Sequence, residues 1–163
     1  VLVPAAKIAP RDATAASTLP HWDSYGPETP GAPEAVFFLD PRADDEGRTQ
    51  ATLRNAAGTQ GVTVRFNKQQ LPYFTLWKNR QSLRDGYVTG LEPGINFPNP
   101  KPFEQQRGRV VSLAPGESRR FEIVIEAHGD AAALGAAEQQ VAALQADAPP
   151  VVLDKPDPDW SIV

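Results

Sequence analysis

The sequence contains no cysteine, so neither a disulfide framework nor a thiolate metal site can be built from it. It contains no methionine either and opens on Val1; both features point to a fragment or a processed chain. No apolar run approaches the roughly 20 residues that cross a bilayer, and no signal peptide is visible, so no membrane partner is expected. Only His21 and His128 supply imidazole. They share no metal-ligand spacing and no HExxH pair occurs, so no metal is expected. A glycine-rich phosphate loop and a GxSxG elbow are also missing, which argues against nucleotide and serine-nucleophile chemistry. The net charge is −4 with acids and bases interleaved. With no basic stripe, nucleic acid is not an expected partner. A cysteine-free chain fits the cytoplasm, the expected location.

What is present is ordinary for a globular chain of 163 residues: 40% hydrophobic and 22% charged, enough for one domain with a core. The 17 prolines and 12 glycines favour short strands broken by turns. Val1 to Ile8 reads as a strand, and the Pro10–Pro33 stretch as a long connection. Glu34 to Leu39 (EAVFFL), Thr49 to Leu53, Val62 to Phe66, Tyr73 to Lys78 and Tyr87 to Glu92 follow, several with the period of two that marks half-buried strands. Arg109–Leu113 and Arg119–Ala127 read as a last hairpin across Ala114-Pro115-Gly116-Glu117. From Asp130 to Ala146, Leu134, Ala137, Val141 and Leu144 recur at helical spacing behind a capping Asp130. The tail beyond, with Trp160, is expected to be extended. Eight short strands and one C-terminal helix make an all-β antiparallel sandwich. The expected division is residues 1–128 as sandwich and 129–163 as helix and tail.

Three places draw attention. Glu92, in Gly90-Leu91-Glu92-Pro93-Gly94-Ile95-Asn96-Phe97, ends a strand before a proline-stiffened loop. A carboxylate there can act as a general base if burial raises its pKa; residue type alone favours a solvated turn residue. In Tyr73-Phe74-Thr75-Leu76-Trp77-Lys78-Asn79, the residues Tyr73, Thr75 and Trp77 share one strand face, and Phe74, Leu76 and Lys78 share the other. Flat rings suit the apolar faces of sugars, and Lys78 and Asn79 are candidates for bonding hydroxyls; aromatics in strands are more often core. Glu34 precedes an apolar strand, where it binds a ligand hydroxyl or simply keeps the sheet end soluble.

In this order, PEAVFF, then LPYFTLWKN, then GLEPGINFPNP, the chain resembles the second half of the aldose 1-epimerase (galactose-mutarotase-like) family. A bacterial branch of that family matches best, over roughly residues 1–128. The Glu-Pro loop carries the specific part of the match. The resemblance implies the C-terminal portion of a large antiparallel supersandwich and an isomerase of carbohydrate metabolism needing neither cofactor nor metal. It implies Glu92 as the base, Glu34 where typical members bind sugar hydroxyls through an aspartate, and Trp77, Lys78 and Asn96 as substrate contacts. The acid histidine of the family lies upstream of the matched stretch, and neither His21 nor His128 falls at its place. The expected partners are therefore a sugar or sugar derivative and an N-terminal half of the same protein, the isolated chain being inactive. The alternatives are a non-catalytic carbohydrate-binding sandwich and an interaction half with open strand edges.

Overall fold

A computed structural model describes residues 1–145 and 148–162. Eight strands and three α-helices occur among them: β1 (Ala5–Pro10), α1 (Ala13–Ser17), β2 (Ala35–Pro41), β3 (Arg48–Arg54), β4 (Gly61–Asn67), β5 (Tyr73–Asn79), β6 (Val88–Gly94), α2 (Lys101–Gln106), β7 (Ile123–His128), α3 (Ala131–Gln145) and β8 (Val151–Val152). They form a five-stranded sheet of order β6-β5-β2-β1-β8 and a three-stranded sheet of order β3-β4-β7. All pairings are antiparallel except β1 with β8. The fold is the β-sandwich with a C-terminal helix that the alternation and turn spacing imply.

The two sheets pack through Ile8, Phe37, Leu39, Phe74 and Leu76 on one side and Ala51 and Phe66 on the other, all buried. β2 is central and covered on both faces, so its sequence is apolar almost throughout rather than alternating. Phe37 and Leu39 face the inter-sheet core, while Val36 and Phe38 face outward under Phe97. In β3 and β4 the opposite face is polar but buried. Thr52 and Thr63 hydroxyls meet at 2.9 Å, Thr63 reaches His128 Nε2 at 2.8 Å, and Gln50 donates to the Ala137 carbonyl at 2.8 Å. That last bond docks α3 on the outside of the three-stranded sheet. Asp130 caps α3 by accepting from the Ala133 N–H at 2.8 Å. Ala146, the last residue of the expected helix, and Val163, the end of the expected tail, lie outside the described residues.

Three expectations change. The Pro10–Pro33 connection is not structureless: Asp12 caps α1, and a 3₁₀ turn spans Leu19–His21. A further short helix, α2, follows the Glu-Pro loop. The hairpin of Arg109–Leu113 with Arg119–Ala127 does not form. Its turn is present, with Glu117 N–H donating to the Ala114 carbonyl at 2.9 Å, but residues 109–113 are not a strand and β7 pairs with β4 instead. Arg109, the first residue of the expected arm, instead has its guanidinium bound to Glu104 and to the Asp159 carbonyl.

That ion pair closes the outer layer. Glu104 is fully buried, takes Arg109 Nε at 2.6 Å and Nη2 at 2.7 Å, and accepts from Asn99 Nδ2 at 2.8 Å. Asn99 also donates to the Trp160 carbonyl at 2.8 Å. Trp160 packs on Phe97 at 5.1 Å, under Lys7, which pairs with Asp157. The tail thus belongs to the sandwich: β8 extends the sheet beside β1 and Trp160 roofs its outer face. On the other side of β5, Lys78 is buried with its ammonium donating to the carbonyls of His21 (2.5 Å), Trp22 (3.1 Å) and Ser24 (2.6 Å), fixing the 3₁₀ segment.

Burial alone would raise the Glu104 pKa, but the Arg109 fork and Asn99 outweigh it and hold the carboxyl below the usual glutamate range. Glu104→Gln leaves Arg109 without its partner and is expected to cost about 3 kcal/mol at neutral pH by denaturant unfolding. Because the folded-state pKa is depressed, this stabilisation is present above the unfolded value and fades as pH falls through the folded one. The gap between wild type and variant therefore closes in acid. Lys78→Met strands three carbonyls; a loss of about 2 kcal/mol is expected, with faster amide exchange confined to residues 19–26.

Candidate active site

The outer face of the five-stranded sheet is defined by register. Phe38 lies opposite Thr75, and Thr75 opposite Glu92; in the next row Val36 lies opposite Trp77, and Trp77 opposite Gly90; Tyr73 lies opposite Gly94. Directly paired residues of antiparallel strands share a face. Glu92, Thr75, Trp77 and Tyr73 therefore stand together on the side away from the inter-sheet core. The Glu-Pro loop turns back over this face: Phe97 stacks on Phe38 at 4.4 Å and meets Tyr73 at 4.7 Å. Phe97 and Trp160 form a wall, Thr75 a buried floor, and half-buried Trp77 a flank.

Glu92 makes no hydrogen bond or ion pair to any described residue, and burial pushes its pKa up. The residue as a whole is exposed, yet the packing around its carboxyl end is enough to disfavour the charge. A carboxylate free of protein partners, reachable by solvent and with a raised pKa, can accept a proton from a bound hydroxyl.

The other sequence-based candidates separate. Trp77 shares the face with Glu92. Asn96 is half-buried two residues beyond β6, and its backbone folds close to Gly94. Glu34 stands exposed one residue ahead of β2, with no hydrogen bond or ion pair to a described residue. Lys78 is not brought to this face: it sits opposite Ala35 on the inner side of the sheet. Burial and the neighbouring Arg80 lower its pKa to about 8, against the opposing pull of Asp23. At neutral pH it is still an ammonium with its three protons donated to backbone carbonyls, where it holds the 19–26 segment away from the Glu92 face. Phe97 and Trp160, which shape the site, were not candidates. Both are lone aromatics in proline-rich segments where no periodicity flags a face.

Two cavities lie elsewhere. One, of about 700 Å³, runs between α3 and the three-stranded sheet, past Gln50, Arg65 and Gln140. The other, of about 480 Å³, lies beside Lys78, His21 and Tyr25. Glu92 lines neither of these two. His128 is bonded to Thr63 in the three-stranded sheet, and His21 lines the Lys78 cavity. Among the described residues no group of three or more His, Asp or Glu side chains is placed to hold a metal ion, and no helix is long and apolar enough to cross a membrane.

No curated protein matches the chain. Among solved structures, it is similar to one described as a "putative aldose 1-epimerase" from Klebsiella pneumoniae subsp. pneumoniae MGH 78578, with 37% identity and a TM-score of 0.91 over 95% of this chain. The chain spans 40% of that protein's length. With the likeness to that structure goes a family assignment: the model of the family described as a domain of unknown function, DUF4432, matches residues 1–127, and the chain belongs to that family.

Proposed function

We propose that this chain carries the catalytic base and one side of the sugar cleft of an aldose 1-epimerase-like isomerase. The observation that carries the reading is the Glu92 carboxyl: unpartnered, on the same sheet face as Trp77, with its pKa raised by desolvation. The similarity to the Klebsiella structure supports it. In this reading Glu92 takes the proton from the anomeric hydroxyl of a free sugar or sugar derivative. An acid on the far side protonates the ring oxygen as the bond from it to the anomeric carbon breaks. The aldehyde rotates, and reversal of the two proton transfers closes the ring as the other anomer. Trp77 offers an apolar face to the ring, and Glu34 and Asn96 bond its hydroxyls. Neither metal nor cofactor takes part.

The acid is a histidine in an N-terminal half of the same protein: His128 is bonded to Thr63, and His21 lines the Lys78 cavity, which does not include Glu92. Residues 1–128 are then the C-terminal part of the larger sandwich, with 129–163 closing it. Exposed Ile123, Val124 and Ile125 on the open edge strand β7 support further strands continuing that sheet. The enzyme works in the cytoplasm.

The placement of the two histidines also favours a second reading, a carbohydrate-binding sandwich without catalysis. Saturation-transfer NMR of anomer exchange on the full-length protein separates the two. Glu92→Gln is expected to slow exchange by about 10²–10⁴-fold; an unchanged rate sinks the epimerase reading. Binding of sugar at Trp77 without any acceleration of exchange establishes the second. Because the base works deprotonated and its pKa is raised, the rate is expected to fall on the acid side, with its midpoint above the ordinary glutamate range.

A further inference from the structure

Gly90 sits in the middle of β6, directly opposite Trp77. Its φ is not positive, unlike that of Gly86 just before the strand, so backbone conformation does not demand a glycine here. Inside a strand a glycine is unfavourable, and beside a tryptophan a β-branched residue would pack better. The space explains it. A Cβ at position 90 would lie 3.0 Å from Glu92 Cδ and 3.1 Å from Trp77 Cβ, and would overlap Glu92 Oε1 outright. The Glu92 side chain folds back along its own strand and lies on the bare backbone two residues earlier.

We propose that Gly90 is a positioning residue for the base: its missing side chain is the seat that holds the Glu92 carboxylate flat against the sheet beside Trp77. The inference rests on the reading of Glu92 as the base. Any side chain at position 90 lifts the carboxylate off the strand towards solvent. The Glu92 atoms in the way are the far end of a flexible side chain that can swing aside, while Trp77 Cβ at 3.1 Å needs to give by only a few tenths of an ångström.

The test is Gly90→Ala, with the Glu92 carboxyl titrated by carbon NMR and anomer exchange measured on the full-length protein. The expected result is a Glu92 midpoint that drops back to the ordinary glutamate range. With it comes a loss of about 10²-fold in kcat, the order expected when a reacting group is misplaced by about 1 Å, and a KM changed by less than about twofold. Circular dichroism should be unchanged. Glu92→Asp provides a second arm. The shorter carboxylate no longer reaches the seat, so adding Gly90→Ala to it should cause no further loss. A Glu92 midpoint that does not move in Gly90→Ala overturns the seat, even if Glu92→Gln abolishes exchange. Should the wild-type protein not exchange anomers at all, the epimerase reading fails, and the titration still decides whether Gly90 seats the carboxylate.

Discussion

β2 is apolar on both faces and must be covered twice. Phe37 and Leu39 look towards the three-stranded sheet, and Val36 and Phe38 look the other way. The inner cover comes from neighbouring strands, as in any sandwich. The outer cover is a patch assembled from two distant segments, Phe97 of the Glu-Pro loop and Trp160 of the tail. Neither segment has ladder pairing enough to hold itself there. The Glu104–Arg109 pair, with Asn99 bridging to the Trp160 carbonyl, supplies the fixing. It is buried, doubly bonded and satisfied by its neighbours, the condition under which such a pair is tolerated away from water.

The same arrangement explains where the candidate site can be. The patch covers the β1–β2 side of the outer face and leaves the β5–β6 side, with Trp77 and Glu92, open. An apolar wall beside a free carboxylate is a setting in which a sugar ring can rest its carbon face and present a hydroxyl.

Most strands were legible because alternation is a local signal. Thr49 to Leu53, Val62 to Phe66 and Tyr73 to Lys78 each fall within an observed strand, since a half-buried strand writes its two faces directly into the sequence. The failed hairpin arm at Arg109–Leu113 shows the limit. Its residue pattern is strand-like, but the other arm, β7, pairs with β4 instead, and that pairing is a tertiary contact. β8 is only two residues long and escapes any pattern. At the site, the parity of β5 was readable; Glu92, expected to end its strand, instead lies inside β6, which stays paired with β5 through Pro93 and Gly94. What could not be read was which way Lys78 would be used: a lysine at a strand end looks like an edge residue until three carbonyls of a remote turn converge on it. Phe97 and Trp160 were hidden for the same reason, because loop residues carry no register.

The closure of the outer face by Trp160 and β8 also bears on how the molecule is made. β1 waits for β8 and for the Lys7–Asp157 contact, which is separated from it by 150 residues. Contacts of such span form late, because the intervening chain must be ordered first. Until then Phe38 and Phe97 lack the Trp160 roof, and the folding chain carries an apolar face that is covered in the finished fold.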